Sequence, residues 1–201
     1  DIYQARGEYD EPLRIYQEET LPAFEALGER REVAITRAKI ADIYQVRGEF
    51  DEALRILQEE TLPAFEALGA RREIAVNKGK IADICWFRGE FDEALRIRQK
   101  ETLPVYEALG DKRSIAINKG KIADIYQARG ELDEALRIRQ EEEIPVYEAL
   151  GDKHSIAATK GQIADIYRDR GELDVALRIS QKETLPVYEA LGDKRSIAVT
   201  K

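Results

Sequence analysis

One period dominates this chain. Asp1, Asp42, Asp83, Asp124 and Asp165 each open nearly the same phrase, at a constant interval of 41 residues. The phrases run from DIYQARGEYDEPLRI to DIYRDRGELDVALRI, and TLPAFEALG, TLPVYEALG or EIPVYEALG recurs later in each unit. A repeat of this length is a supersecondary unit stacked on its neighbours, so the core grows along one dimension. The near-identity of the units points to recent duplication or to consensus design. We expect one repeat domain over residues 1–201, with units starting near 1, 42, 83, 124 and 165.

Each unit reads as two helices. Between Glu73 and Arg88, Ile74, Ile81, Ala82 and Cys85 recur at helical spacing, with Lys78, Lys80 and Asp83 between them. Gly89 stops this first helix of the unit. Asp92 and Glu93 suit the start of the second, whose apolar set is Ala94, Leu95, Ile97, Leu103, Val105, Tyr106 and Leu109. Gly110 ends it, and Asp111 is placed to cap the next helix. The connections are short, so successive helices must be antiparallel neighbours. Pro22, Pro63, Pro104, Pro145 and Pro186 fall inside the second helices, where a lost hydrogen bond costs on the order of 3 kcal/mol. A kink or short break is expected there. Pro12, near a helix start, is tolerated.

Composition narrows the function classes. The formal charge of −8 argues against a nucleic-acid backbone as the main partner. No apolar run is long enough for a membrane span, and no charged-then-apolar leader is present. The absence of Met suggests an excised, processed or engineered segment. Cys85 stands alone, which rules out an internal disulfide and fits a cytoplasmic setting.

The pattern Ile81-Ala82-x-x-Cys85-x-x-x-Gly89-x-Phe91-x-x-Ala94 resembles the tetratricopeptide repeat signature, with Tyr3, Tyr44, Tyr126 and Tyr167 at the Cys85 position of the other units. The resemblance covers the whole chain. Units in that family usually run to about 34 residues, and these are longer. The family's aromatic residue early in the first helix is replaced here by Arg37, Lys78, Lys119 and Lys160. Long-helix members occur in bacterial signal-sensing ATPases and in kinesin light chains, and this chain looks closest to the bacterial kind. The resemblance implies an all-α, right-handed superhelical solenoid of antiparallel helix pairs. It also implies a concave groove, lined by the first helices, that holds a peptide or protein segment.

Catalysis finds little footing. His154, the one histidine, takes the place of Arg31, Arg72, Arg113 and Arg195 and reads as an exposed polar substitution. No His/Cys cluster suits a metal, and no nucleophile, base and acid set can be assembled. No phosphate-binding loop or other cofactor motif is present. Cys85 reads as buried filler. Glu18-Glu19 and Glu59-Glu60, beside Arg14 and Arg55, read as a solvated, ion-paired face.

Comparison between units is more informative. Two adjacent positions vary most: Gln4-Ala5, Gln45-Val46, Trp86-Phe87, Gln127-Ala128 and Arg168-Asp169. By register with the family these face the groove, on one stripe with Asp42, Asp83, Asp124, Asp165, Gly79, Gly120 and Gly161. Lys39, Lys80 and Lys121 each precede an Asp by three residues and are expected to pair with it along the helix. Glycine within a helix costs about 1 kcal/mol against alanine, so close helix packing or an opened groove floor must offset it. Trp86-Phe87 is either a binding hot spot or filler beside the small Cys85.

The expected function is a non-catalytic binding scaffold, without cofactor or metal, serving as a sensor or adaptor segment of a larger bacterial protein. The alternatives are an engineered or purely structural array and a small-molecule sensing segment of a signalling ATPase. By register, residues 1–6 and 196–201 are two halves of first helices, which predicts head-to-tail self-association through the ends.

Overall fold

The computed structural model describes residues 9–200. Among them every regular element is helical. Five long second helices, α1 (residues 10–27), α3 (50–67), α5 (91–109), α7 (132–150) and α9 (173–191), alternate with the first helices of the following units. Those are α2 (Arg30–Val46), α4 (Arg71–Phe87), α6 (Lys112–Ala128), α8 (Lys153–Asp169) and α10 (Lys194–Thr200). The all-α fold of repeated helix pairs read from the sequence is the fold observed. The chain divides into two compact units, residues 1–105 and 106–201, with the boundary inside α5. The half-helix expected at residues 1–6 lies outside the described residues.

Local sequence accounts for the helix ends. Gly89, at φ +77°, closes α4: its amide bonds the Trp86 carbonyl at 3.0 Å, and the Glu90 amide bonds the Cys85 carbonyl at 2.8 Å. That left-handed turn suits glycine and satisfies carbonyls the helix leaves free. Asp111, Asp152 and Asp193 cap α6, α8 and α10, each accepting from the amide of Ser114, Ser155 or Ser196 at 3.0–3.1 Å.

In the first compact unit, Ala34, Ile40, Ala41 and Ile43 of α2 and Ala75, Ile81, Ala82, Ile84 and Cys85 of α4 are buried, with Ala53, Ile56, Leu57 and Phe65 of α3. In the second, Ile122, Ala123 and Ile125 of α6 and Ile163, Ala164 and Ile166 of α8 pack with Ile138 and Tyr147 of α7. Each fully buried isoleucine contributes about 1.5–3 kcal/mol. Ion pairs on the outside repeat with the sequence period: Arg47 pairs with Asp10, Arg88 with Asp51 and Arg170 with Asp133. Arg14 and Arg55 do pair with neighbouring glutamates, including Glu18 and Glu60.

The prolines produce no break in the helical run. Each second helix runs on through a π-helical stretch just before its proline: Ile15–Thr20, Ile56–Thr61, Arg98–Thr102, Ile138–Glu143 and Ser180–Thr184. Proline cannot donate to the carbonyl four residues back, and its ring crowds that carbonyl. Widening the turn shifts the bonding to five residues: the Leu62 amide reaches the Leu57 carbonyl, and Leu21, Leu103, Ile144 and Leu185 repeat the pattern. The buried Thr61 hydroxyl adds a second bond to the Leu57 carbonyl at 2.9 Å, as Thr102 does to Arg98 and Thr184 to Ser180. Asn77 of α4 then donates through Nδ2 to Thr61 Oγ1 at 2.7 Å and to the same carbonyl at 2.9 Å.

Two predictions follow from these contacts. Thr61→Val leaves one Asn77 N–H buried without a partner, so it should cost about 1–3 kcal/mol in chemical denaturation, whereas Thr61→Ser should cost less than half of that. The second concerns pH. The Ser196 hydroxyl and amide, with His154, hold the Asp193 carboxyl down to about 2. A depressed carboxylate contributes its stabilisation above the ordinary aspartate range and loses it as pH falls through about 2. The Ser196 amide resonance should titrate at about that pH, and a midpoint in the ordinary aspartate range would contradict the cap.

Candidate functional site

The stripe read from sequence falls on the first helices. In the first compact unit it comprises Asp42, Gln45 and Val46 on α2, and Gly79, Asp83, Trp86 and Phe87 on α4. Val46, Trp86 and Phe87 are exposed, Asp42, Gln45 and Asp83 half-buried, and Gly79 buried. Lys80 Nζ lies 2.7 Å from the Asp42 carboxylate, which joins α4 directly to α2. This corrects the expected Lys80–Asp83 pair within one helix: the helices are close enough for lysine to reach across. Lys39 instead lies over the Tyr16 ring, 5.7 Å from its centre.

Trp86 is 36% exposed and Phe87 56%, so both rings reach the surface. The Trp86 ring meets Phe87 edge-on at 5.0 Å, and Phe87 stacks on Phe50 of α3 at 5.8 Å. The three rings form a surface platform whose orientation is held by mutual contact. Burial pushes the Cys85 thiol up to about 11, which leaves it protonated and inert as a nucleophile.

In the second compact unit the stripe comprises Gly120, Asp124, Gln127 and Ala128 on α6, and Asp165, Arg168 and Asp169 on α8. Gln127 Nε2 donates to Asp169 at 2.7 Å, again joining neighbouring first helices. Arg168 pairs with Asp165 at 2.7 Å on the surface. His154 is exposed, 3.0 Å from Asp193 and edge-on to Tyr188.

Sequence reasoning missed the residues beneath the stripe. Arg98 of α5 is buried, donating to the Gly79 carbonyl at 2.9 Å and to Asp83 at 2.7 Å. Arg139 of α7 is fully buried, bonding Asp124, Glu143 at 3.0 Å and Gln162 at 2.7 Å. Glu143, where other units carry threonine, also accepts from Thr159 at 3.1 Å. Burial pushes the Glu143 carboxyl up, against the opposing pull of Arg139 and Thr159.

These groups explain the helical glycines. A Cβ on Gly79 would lie 3.1 Å from Arg98 Nη1, and one on Gly120 2.6 Å from Glu143 Oε1. The glycines therefore give space to charged side chains of the following second helix. The signal lay in the sequence as paired variation: Ala38 goes with Leu57, Gly79 with Arg98 and Gly120 with Arg139. Gly161 goes with Ser180, and a Cβ there would meet nothing within 4 Å.

Opposite outcomes are expected for one substitution at two equivalent positions. Gly161→Ala should raise stability by up to about 1 kcal/mol through helix propensity alone. Gly120→Ala should lower it by about 1–3 kcal/mol, because Glu143 is held by Arg139 and Thr159 and cannot move aside. Thermal denaturation of the pair checks this.

A family model described as tetratricopeptide repeat matches residues 41–59, 82–100 and 123–141. The chain thus contains tetratricopeptide repeats. A search of curated proteins returned no match. Among solved structures, BtubC (BKLC) from P. vanneervenii aligns with a TM-score of 0.67 and 16% identity, over 95% of this chain and 88% of that one. The nearly identical TPR-like repeats named as kinesin light chain from Podosopora anserina align with a TM-score of 0.70 and 15% identity, over 96% and 92%. The signal transduction ATPase PH0952 from Pyrococcus horikoshii, with a tetratricopeptide repeat sensor, aligns at 0.70 and 19% identity, over 84% of this chain and 26% of that protein. At these identities the likeness establishes the fold.

Proposed function

We propose that this chain of tetratricopeptide repeats is a non-catalytic scaffold that binds a peptide or protein segment on the exposed face of its first helices. The observation that carries this reading is the Trp86–Phe87–Phe50 platform. A tryptophan that stays accessible while its ring is oriented by a neighbour suits a binding anchor, because little side-chain freedom remains to be lost. The polar groups around it on the same face, Asp42, Gln45 and Asp83, can bond a backbone or polar side chain. Val46 adds apolar surface beside them.

A place as sensor or adaptor segment of a larger cytoplasmic, bacterial protein belongs to the same reading. The named sensor repeats of PH0952 support it by analogy of fold. No helix among the described residues is long and apolar enough to cross a membrane. The near-identity of the units favours a second reading, a structural array with no cognate ligand.

Trp86→Ala separates the two. Peptides selected from a random display library against the intact chain should lose at least about 1–2 kcal/mol of affinity for the variant in calorimetry. Thermal stability should change little, since Trp86 is exposed. A sharp fall in melting temperature with binding unchanged would make Trp86 a packing residue and leave the array reading.

A further inference from the structure

We propose that the cleft over Gly161 is a binding slot for a guanidinium group, supplied by an arginine side chain of the bound peptide. This deepens the scaffold reading and rests on it. The argument comes from equivalent positions within the chain. Arg98 and Arg139 lie one period apart, and each sends its guanidinium under the first helix to an aspartate, Asp83 or Asp124. The next equivalent residue is Ser180. Its short side chain cannot reach Asp165, yet the glycine that gives Arg98 its room at Gly79 is kept as Gly161.

The result is open space over Gly161 in place of the guanidinium that Arg98 seats above Gly79. A cleft of about 430 Å³ is lined by Gly161, Asp165, Arg168, Ser180, Tyr188 and Arg195 among others. Open space lies over Gly161, where Arg98 Nη1 stands above Gly79. A guanidinium there would find the same two acceptor types that Arg98 uses, a glycine carbonyl and an aspartate carboxylate. The planar, five-donor group fits that pair, and a charge-assisted bond to a carboxylate is among the stronger polar contacts.

Two arginines stand at the cleft. Arg195 is exposed on its edge. Arg168 holds the Asp165 carboxylate through an i,i+3 pair, with its side chain 63% exposed. Such surface pairs contribute little, so an entering guanidinium can displace it.

The test is an NMR titration of the intact chain with N-acetyl-arginine amide, followed at the Gly161 amide. The lysine analogue and the neutral citrulline analogue serve as controls. The arginine probe should bind saturably and about tenfold more tightly than either control. Ser180→Arg should place a guanidinium in the slot from within the chain and abolish the response, whereas Ser180→Ala should keep it. Arg168→Ala should tighten binding by freeing Asp165. Equal binding of the three probes, or an unchanged response in Ser180→Arg, would overturn the proposal. Self-association that Ser180→Arg removes, with no response to the arginine probe, would overturn it too. Selected peptides that still depend on Trp86 would then leave the scaffold reading standing.

Discussion

The structure depends on how its second helices accommodate an interior proline. Proline forbids the ordinary bond to the carbonyl four residues back, and the chain answers with a wider turn and a bond five residues back. The threonine before the Leu-Pro step supplies a second donor to the same carbonyl. The widened stretch also packs on the preceding first helix, α3 on α2 and α7 on α6. The residue whose carbonyl accepts that bond, Leu57, Arg98, Arg139 or Ser180, is paired through the period with a small residue on the preceding first helix. That coupling sets where a methyl group, a guanidinium or an open cleft is found.

A division of labour follows within each compact unit. The second helices hold the π-helical stretches and, on their outer sides, the Arg-Glu pairs that keep them solvated. The first helices turn Ile40, Ile43, Ile81, Ile84, Ile122, Ile125, Ile163 and Ile166 inward, while Val46, Trp86 and Phe87 remain accessible. Substitutions at those positions cost little in packing, and this is where the units differ most. Beneath them the buried Arg139 and Glu143 are costly to desolvate and are held, with the half-buried Asp124, by their hydrogen bonds. The group ties α6 and α7 together.

Much of this was legible in the sequence, because the relevant rules are local. Gly89 after an apolar stripe and Asp111 three residues before Ser114 mark helix ends with their own side chains and backbone. The period itself implied stacking. A kink or short break was expected at each proline because interior proline usually distorts a single helix; the π turn that keeps the helix continuous has its tertiary seat, Asn77 bonding Thr61 and Leu57, 16 to 20 residues away. Lys80 was assigned to Asp83 by spacing along one helix, whereas the shorter path led to Asp42 on the neighbouring helix. Arg98 and Arg139 lie within a charged segment, and only the glycines opposite them hint at burial. The aromatic platform was visible as an anomaly at Trp86-Phe87, but its third ring, Phe50, comes from another unit.

The central claim is that first helices carry recognition and second helices carry the architecture. Hydrogen-exchange mass spectrometry on the intact chain, with and without a selected peptide, tests it directly. The account predicts added protection in the segments of α2 and α4 around residues 42–46 and 83–87, with the outer stretches of α3 unchanged. Protection confined to those α3 stretches, with residues 83–87 unaffected, would contradict it.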